Sequence, residues 1–330
     1  MTSESLELPN IDVSNIRTDR VALSKSLVDA LENVGFLTVD NVKGLDFDIL
    51  LKACKWFFSR PYEKKKLLLR KQWAPENSNM FRGYFPVIEG EPSRKEGFEF
   101  GPVYPEFDRK TTPAPWIYEE NVWPEEDGTL EFKAELTKAF DIMHNTAMEI
   151  LRLTALGIGI DENAFIGLFD DKPLTTFRMI HYPTWEKTPP EVCLLDNGKV
   201  ITTPEHTDTG FMTLLATFGY SGLEVMTTDG HWVAVAPRTN SLVMNIGDVF
   251  SRMLGGRFRA TRHRVVDIGE DRFSFPFFLE PSFNADIGLN FLTKYTGSGP
   301  EHVPELYGPW VFHQYKYVKK HFEYRVLPDV

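Results

Sequence analysis

The sequence predicts one domain with an antiparallel β core and helices packed around it. Eight short β-rich runs, separated by turn residues, follow one another between residues 173 and 281. This spacing is typical of a sandwich or barrel. The first half of the chain contains the longer helical patterns instead. No internal repeat, low-complexity linker or clear boundary divides the chain, which favours a single domain.

The N-terminal part alternates short strands with helices. Residues 8–13 form a short apolar strand, and residues 20–34 place apolar side chains on one face of a helix that ends at Gly35. Residues 35–39 are β-rich, and residues 47–58 carry a second helical pattern. This part is therefore mixed, unlike the β-rich part that follows.

One long segment between these two parts has no clear period. Residues 72–128 contain many Pro, Gly and Trp residues, and such stretches inside a compact domain often form lids or binding loops. The strongest helical pattern comes next, at residues 131–156, where apolar side chains line one side. Gly157 and Gly159 end this helix.

The β core is predicted from eight runs in the second half of the chain. In order, they are TTFRMIHYP, VITTPEH, FMTLLATF, GLEVM, HWVAVAP, SLVMNIG, RFRATRHRVVDI and RFSFPFFLEP. The pairs Asp229-Gly230 and Gly247-Asp248 are expected to form tight turns. After the last strand, residues 303–324 show a helical pattern with Pro304 at its start.

The composition is that of a globular protein with excess negative charge. The chain has 330 residues and a mass of 37.9 kDa, with 42% hydrophobic and 25% charged residues, so it can bury a large core. Its 36 basic and 47 acidic residues give a net charge of −11. Because nucleic acids and anionic membranes are bound through Lys and Arg, we expect neither partner. The 26 Phe residues favour a sheet-rich core or an aromatic-lined pocket.

The cysteine content and the N-terminus predict a cytoplasmic protein. Cys54 and Cys193 are the only cysteines, too few for a disulfide framework and compatible with a reducing compartment. The first residues, MTSESLELPN, have neither the basic nor the apolar region of a secretory signal. No apolar run is long enough for a membrane-spanning helix.

His206 and Asp208 are the first two candidate metal ligands. In an extended strand, residues i and i+2 project to the same face, so both side chains can reach one ion. This pair alone is unspecific, but His263, in the middle of the later strand TRHRVVDI, supplies a third candidate. Two histidines and one carboxylate make the facial triad that leaves open positions on Fe(II). With a divalent ion, two neutral imidazoles and one carboxylate, the centre has a net positive charge, which attracts an anionic chelator.

A second group of side chains is suited to a carboxylate. Arg272 and Ser274 are also at i and i+2, so a guanidinium and a hydroxyl point the same way. Arg presents a planar fork to a carboxylate, Ser adds one donor, and Tyr182 can add a phenol. Each residue alone has an ordinary structural explanation, such as an edge-strand cation or a core aromatic. Their order along one sheet-rich segment favours a site.

In this order, the segments resemble the isopenicillin N synthase-like branch of the Fe(II)/2-oxoglutarate-dependent dioxygenases over nearly the whole chain. In the N-terminal part, LPNIDV, ALENVGFLTVDN, FFSRPYEKKKLLL and FRGYFP resemble successive family elements. In the β-rich part, the matching blocks are HTDTGFMTLL, GLEVMTTDGHWVAVAP, NIGDVFSRMLGGRFRATRHRVV and RFSFPFFLEP. The ordered series is highly specific, whereas a lone His-x-Asp is not.

The resemblance implies a fold, a metal and a cosubstrate. The fold is mainly β with flanking α-helices, a double-stranded β-helix or distorted jelly roll. One oxygenase domain would comprise a mixed α/β part at residues 1–170, the jelly-roll core at 171–285 and a helical segment at 286–330. Asn245 and Asp248 match a motif that shapes a sharp turn. The implied cofactor is Fe(II), with 2-oxoglutarate and O₂ as cosubstrates. The implied iron ligands are His206, Asp208 and His263.

The resemblance also implies a 2-oxoglutarate site. The residues that match the family's binding groups for the distal carboxylate are Arg272, Ser274 and Tyr182. One departure is Ile180, where many plant members carry Asn two residues before the tyrosine. Arg178 or His181 could compensate, although strand alternation places His181 opposite Tyr182. We interpret the departure as a subfamily difference.

The implied reaction oxidises a C–H bond of a small-molecule metabolite and converts 2-oxoglutarate to succinate and CO₂. Hydroxylation, desaturation and oxidative cyclisation all stay open as outcomes. No side chain is nominated as a general acid or base, since the hard chemistry belongs to the metal. Basic groups in the irregular segment favour a carboxylate-bearing substrate. The residues expected to line the substrate pocket are Arg82, Tyr84, Arg94, Phe98, Phe211 and Phe278.

Three alternatives stay open from the sequence. An oxidase of the isopenicillin N synthase type shares these residues but does not use 2-oxoglutarate, because Arg272 and Ser274 then bind the substrate's own carboxylate. A non-catalytic binding module is disfavoured, since no ligand and neither of these two residues is missing. A cupin-like zinc hydrolase leaves them without a role. We expect a monomer, although aromatic side chains at residues 304–324 could pack on a neighbour.

Overall fold

The computed structural model describes residues 5–71 and 79–317 of the chain. The strands are β1 (Asn10–Asp12), β2 (Phe36–Asp40), β3 (Gly83–Phe85), β4 (Glu96–Phe100), β5 (Thr176–Tyr182), β6 (Ile201–His206), β7 (Met212–Ala216), β8 (Leu223–Met226), β9 (Trp232–Ala234), β10 (Ser241–Ile246), β11 (His263–Val266) and β12 (Arg272–Leu279). The helices are α1 (Arg20–Asn33), α2 (Phe47–Phe58), α3 (Tyr62–Lys66), α4 (Phe132–Ile158), α5 (Asp248–Met253), α6 (Thr293–Thr296) and α7 (Tyr307–Tyr317).

The strands form two sheets, which together build a double-stranded β-helix. The larger sheet has the order β1-β2-β10-β7-β12-β5-β4-β3, and the smaller sheet has the order β6-β11-β8-β9. Ile180 and Tyr182 of β5 pack against Val265 of β11, across the space between the sheets. Each of the eight predicted runs contains one strand, from β5 to β12, so the predicted jelly-roll core is confirmed.

Three helices cover the outer face of the larger sheet. The longest, α4, buries an apolar stripe that includes Leu136, Met143 and Leu151, and it contacts α1, α2, β7 and β12. Asp46 caps α2 by accepting a hydrogen bond from Ile49 N at 3.0 Å. All three predicted N-terminal helices are confirmed, with small shifts at their ends. Within the described ranges, no helix has the length and apolar character needed to cross a bilayer.

The main hydrophobic core lies between this outer sheet face and the helices, and aromatic rings dominate it. Phe177 of β5 stacks on Phe275 of β12 with centroids 4.1 Å apart. Phe57 of α2 lies 4.7 Å from Phe98 of β4, again between ring centroids. The many Phe residues therefore serve the sheet-rich core, as expected. Alternation along the same strands turns the intervening side chains inward, toward the smaller sheet.

The segment at residues 72–128 is not wholly irregular, which corrects the prediction. Antiparallel pairing of β3 with β4, and of β4 with β5, extends the larger sheet by two strands. Every residue of β4 is buried. A strand covered on both faces need not alternate polar and apolar residues, and therefore carries little periodic signal. Its inner face becomes part of the functional site.

Two local predictions near the C-terminal half also need correction. The Asp229-Gly230 turn is confirmed between β8 and β9, but Gly247-Asp248 is not a tight turn between strands. Gly247 is extended and Asp248 begins α5. Helix α7 begins at Tyr307, later than the sequence suggested. The predicted helix beyond residue 317 lies outside the described residues.

Candidate metal centre

His206 and His263 face each other from neighbouring strands of the smaller sheet. His206 is the last residue of β6, His263 is the first residue of β11, and the two are partners in the antiparallel register. Their ring centroids are 4.2 Å apart. His263 therefore lies at the end of its strand, not in the middle as the sequence suggested. The strand ends bring both imidazoles to the same end of the β-helix.

An extra residue in β6 helps to direct side chains into the site. Between the pairs His263–His206 and Val265–Thr203, β6 advances three residues while β11 advances two. This irregularity is a β-bulge, which changes the facing of the residues beyond it. Thr203 and His206 therefore both point into the interior of the β-helix, although simple alternation would place them on opposite faces.

Asp208 comes from the segment after β6 and not from the strand itself, so the alternation argument for it was wrong. Its carbonyl oxygen accepts a hydrogen bond from Asp248 N at 2.8 Å, at the start of α5. Gly247 permits this close approach, because a Cβ there would lie 2.1 Å from Gly210 O. Backbone contacts with the turn after β10 thus hold the segment that carries Asp208.

The two carboxylate oxygens of Asp208 have different partners. Oδ2 accepts hydrogen bonds from Thr213 Oγ1 at 2.6 Å and from Asn245 Nδ2 at 2.7 Å. Oδ1 lies 3.7 Å from His206 Nε2 and 3.6 Å from His263 Nε2. One potential ligand atom from each of the three residues falls within 4.8 Å of the other two. The three side chains can therefore share one ion.

The histidines present the correct nitrogen for metal binding. His206 Nδ1 lies 2.9 Å from Pro204 O, and His263 Nδ1 lies 3.2 Å from Thr261 O. A carbonyl accepts only from a protonated nitrogen, so Nε2 keeps its lone pair toward Asp208. Burial, and then the neighbouring His263, lower the pKa of His206 to about 4. Neutral imidazole and a carboxylate are the donor set of an Fe(II) facial triad.

Arg272 and Tyr182 form a second site on the inner face of the larger sheet. They are partners in the β12–β5 register, and Arg272 Cζ lies 4.7 Å from the Tyr182 ring centroid. Arg272 is only 2% exposed, and its Nε donates to Ser221 O at 2.9 Å. Its buried Nη1 has no hydrogen-bond partner within the described residues. An unpaired buried guanidinium nitrogen is costly, so the site is suited to an incoming carboxylate.

The Tyr182 hydroxyl is surrounded by cations and hydroxyl groups. Burial by itself would raise the pKa of Tyr182, but the charges of Arg272 and Lys95 lower it, together with hydrogen bonds to Ser274 and Thr203. The net direction is downward. This concentration of donors and positive charge around one point favours an anion.

The residues around Tyr182 on β5 follow the expected alternation. Ile180 packs beside Tyr182. Its side chain is apolar, so it cannot make the hydrogen bonds of the asparagine that many plant members carry at this position. His181 faces the other way, with Nδ1 2.8 Å from Glu96 Oε1, as predicted. Arg178 shares the inner face with Ile180 and forms an ion pair with Glu99.

Three residues expected to line the substrate pocket point elsewhere. Tyr84 lies on the outer sheet face and donates from its hydroxyl to Glu96 Oε2 at 2.6 Å. Phe98 is fully buried in the core. Phe211 is also fully buried and stacks on Phe250 with centroids 4.2 Å apart. For Tyr84 and Phe98 the cause is the unrecognised pairing of β3 and β4, which sets the direction of each side chain.

Arg82 and Arg94 already have protein partners, and Phe278 lies on the inner sheet face. Arg82 is 3% exposed and donates from Nη1 to Thr176 Oγ1 at 2.8 Å. Arg94 donates from Nη2 to Thr184 O at 2.7 Å. Phe278 lies on the same face of β12 as the Arg-x-Ser pair and is half-buried. The two arginines therefore hold loops in place.

The sequence analysis missed a row of inward-facing residues on β3 and β4. Lys95 approaches the interior from the residue before β4, and Glu99 forms an ion pair there with Arg178. The Phe85 ring lies against Gly97, where a Cβ would be 2.2 Å from Phe85 Cζ. Strand alternation would have grouped residues 95, 97 and 99, had β4 been recognised as a strand.

Two family models match the chain. A model described as the 2OG-Fe(II) oxygenase superfamily matches residues 176–281, which include all three candidate metal ligands. A model described as the N-terminal region of non-haem dioxygenases in morphine synthesis matches residues 8–126. The two matches cover the jelly-roll strands and the mixed N-terminal part, respectively.

Relatives and solved structures resemble the chain over most of its length. A 2-oxoglutarate-dependent dioxygenase of Monascus ruber is 30% identical, over 92% of this chain and 95% of the relative. Isopenicillin N synthase of Amycolatopsis lactamdurans is 27% identical, over 84% and 86%. The crystal structure of a full-length Neurospora crassa protein in complex with alpha-KG and 5-formyluracil has a TM-score of 0.74 and 26% identity, over 95% and 97%.

Proposed function

Since the chain belongs to the 2OG-Fe(II) oxygenase superfamily, we propose that its metal ligands are His206, Asp208 and His263. The convergence of these three side chains, with ligand atoms within 4.8 Å of one another, carries the proposal. The cofactor is Fe(II), and the cosubstrates are 2-oxoglutarate and O₂. When bound, the metal supplies the oxidising chemistry, and the protein supplies ligation and orientation.

In the proposed complex, Arg272 and Ser274 bind the distal carboxylate of 2-oxoglutarate and Tyr182 supports it. The unpartnered Nη1 of buried Arg272 supports this assignment, because a carboxylate would complete its hydrogen bonding. Ser274 lies beside Tyr182, and each hydroxyl can donate to a carboxylate next to the guanidinium. The side chains thus set the direction in which the oxoacid extends toward the metal ligands.

The proposed reaction is oxidation of a C–H bond of a small-molecule substrate, with release of succinate and CO₂. It ends in hydroxylation, desaturation or oxidative cyclisation. The 5-formyluracil bound in the similar Neurospora crassa structure supports a small organic substrate. The half-buried Phe278 provides an apolar contact for such a substrate on the inner face. We still predict that the protein is a monomer and that it binds neither nucleic acids nor membranes.

The test is an anaerobic titration of the Fe(II)-loaded protein with 2-oxoglutarate. A metal-to-ligand charge-transfer absorption band is expected, because the keto acid would bind directly to a metal held by the three side chains. An Arg272→Gln variant should need more 2-oxoglutarate for the same band. Admission of O₂ should then yield succinate. A wild-type protein that binds Fe(II) but produces no band with saturating 2-oxoglutarate would contradict the proposal.

The alternatives from the sequence have less support. Similarity to isopenicillin N synthase is compatible with an oxidase that uses Arg272 for its substrate, whereas alpha-KG in the Neurospora crassa structure favours 2-oxoglutarate. The same titration separates these two. A zinc hydrolase or a non-catalytic module gives no role to the buried guanidinium, and O₂ consumption that depends on the metal would exclude both.

A further inference from the structure

Lys95 reaches the space between the two candidate sites. It directly precedes β4, it is half-buried, and its Nζ donates to Thr203 Oγ1 at 3.3 Å. Burial, the largest effect on the pKa of Tyr182, raises it, whereas the Lys95 charge lowers it. The ammonium is therefore within electrostatic reach of the carboxylate site, and its partner Thr203 lies on β6, the strand that ends at His206.

The Lys95 ammonium is not neutralised by the protein. In the described part of the chain no carboxylate lies within ion-pair distance of it, and its hydrogen bond is to a hydroxyl. Glu99 does not neutralise Lys95 either, because its carboxylate forms ion pairs with Arg70 and Arg178. Glu280, which directly follows β12, does not compensate, since burial raises its pKa well above the usual value. This wall therefore carries excess positive charge.

Burial also makes the isolated ammonium unfavourable. Burial is the largest effect on the pKa of Lys95 and lowers that pKa. The charges of Tyr182, Asp208 and Glu99 raise it. A bound carboxylate would favour the charged form and offset part of its desolvation. The geometry thus favours an anionic ligand beside Thr203.

Aromatic rings share the inner sheet face with Lys95. Arg178 Cζ lies 5.0 Å from the Phe278 ring centroid and 5.7 Å from the Phe85 ring centroid, so the two rings flank one guanidinium. Gly97 lets the Phe85 ring lie directly on β4. A ligand held at Lys95 would find aromatic surface for a hydrocarbon part on the same wall.

We propose that the Lys95 ammonium binds a carboxylate of the substrate that is oxidised, with Phe85 and Phe278 contacting its hydrocarbon part. This inference rests on the proposed oxygenase function. In that function both carboxylates of 2-oxoglutarate are already engaged, one by Arg272 and one by the metal. Lys95 is left for a different anion, and it replaces Arg82 and Arg94 as the basic group proposed for the substrate.

The test compares carboxylic acids with their neutral amides. Full-length protein loaded with Mn(II), which prevents turnover, and 2-oxoglutarate is titrated calorimetrically with phenylacetate, cyclohexylacetate and benzoate, and with the corresponding primary amides. Wild type should bind at least one acid about tenfold more tightly than its amide, the effect expected of one charge-assisted hydrogen bond. Lys95→Met should abolish this preference, and Lys95→Arg should retain part of it. Lys138→Met, at an exposed lysine of α4, should leave it unchanged.

The outcomes separate this inference from the proposed function. Equal affinity of wild type for every acid and its amide, or an acid preference that survives in Lys95→Met, would overturn the role of Lys95. Weaker 2-oxoglutarate binding with an unchanged acid preference would assign Lys95 to the cosubstrate and also overturn it. Failure of wild type to bind 2-oxoglutarate would contradict the proposed oxygenase function but not the role of Lys95. The acid preference of wild type and of Lys95→Met can also be compared without 2-oxoglutarate. Thermal unfolding, with Lys95→Gln as a second neutral variant, checks that the fold is intact.

Discussion

Asn245 donates a hydrogen bond from Nδ2 to Asp208 Oδ2 at 2.7 Å, and so joins the two sheets at the candidate metal centre. Asn245 belongs to β10 of the larger sheet, whereas Asp208 follows β6 of the smaller sheet. The bond directs the other oxygen, Oδ1, toward the two imidazoles before any metal binds. Such pre-orientation lowers the cost of ligation, because the carboxylate does not have to be ordered again.

Replacement of Asp208 should remove the metal. Asp208→Ala deletes the one anionic ligand, so Fe(II) affinity should fall by more than about 100-fold, beyond the loss typical of supporting residues. Metal content after gel filtration and succinate formation measure the effect. Asp229→Ala, in the exposed β8–β9 turn, is the matched control and should behave like wild type. Tight iron retention with full activity in Asp208→Ala would refute the ligand assignment.

Loss of the Thr213 hydroxyl should weaken metal binding without removing a ligand. Thr213 donates to Asp208 Oδ2 at 2.6 Å, and Thr213→Val keeps the shape but leaves that oxygen one donor short. Fe(II) affinity should drop about 10-fold to 100-fold, as for other partners of ligating carboxylates. Thr154→Val removes a buried hydroxyl that donates within α4, and should alter stability only. Equal metal affinities for both variants would argue against the role of Thr213.

Arg272 should control 2-oxoglutarate affinity and leave metal affinity unchanged. Arg272→Gln removes the charge and the fork of donors, and charge-assisted hydrogen bonds contribute about 1.5–3 kcal/mol each. The concentration of 2-oxoglutarate that half-saturates the charge-transfer band should therefore rise by at least about tenfold. Arg238→Gln, which breaks the ion pair with Asp40, serves as control. Unchanged half-saturation in Arg272→Gln would place the oxoacid elsewhere.

Glu96 should contribute to stability on the outer sheet face. Its carboxylate accepts from Lys65 Nζ at 2.8 Å and Tyr84 Oη at 2.6 Å, and lies 2.8 Å from His181 Nδ1. Glu96→Gln leaves Lys65 buried without its counter-charge, which should cost about 3 kcal/mol in urea unfolding near neutral pH. Glu63→Gln, at an exposed pair on α3, should cost little.

The cost of Glu96→Gln should depend on pH. Burial alone would raise the pKa of Glu96, but hydrogen bonds from His181, Lys65 and Tyr84 lower it overall. A carboxyl whose pKa is lowered by folding contributes stability above the pKa of the unfolded chain, about 4.3 for Glu, and loses it as pH falls. The difference between wild type and variant should therefore shrink below about pH 4. A difference that stays constant down to acid unfolding would exclude the charge as its source.

Local patterns in the sequence were sufficient for the three long helices and the eight core strands, and for the choice of the candidate ligands. Helices α1, α2 and α4 have one-sided apolar stripes, and the eight core strands are short runs bounded by turn residues. Each of these patterns is contained in a short stretch of sequence, so it can be recognised without knowledge of the fold. The order of the blocks around His206, Asp208 and His263 pointed to one family. The argument from strand alternation was wrong for Asp208, because β6 ends at His206.

The direction of side chains around the pocket was decided by tertiary pairing. β4 is buried on both faces and carries no alternating signal, so only its pairing with β3 and β5 shows that Tyr84 and Phe98 face outward while Lys95 and Glu99 serve the interior. The bulge in β6 likewise depends on β11. A strand shifted by one residue presents the opposite set of side chains. The chain's own pattern therefore defines a mainly β protein with a candidate His-Asp-His triad, whereas the choice of the groups that meet a substrate depends on contacts between segments far apart in sequence.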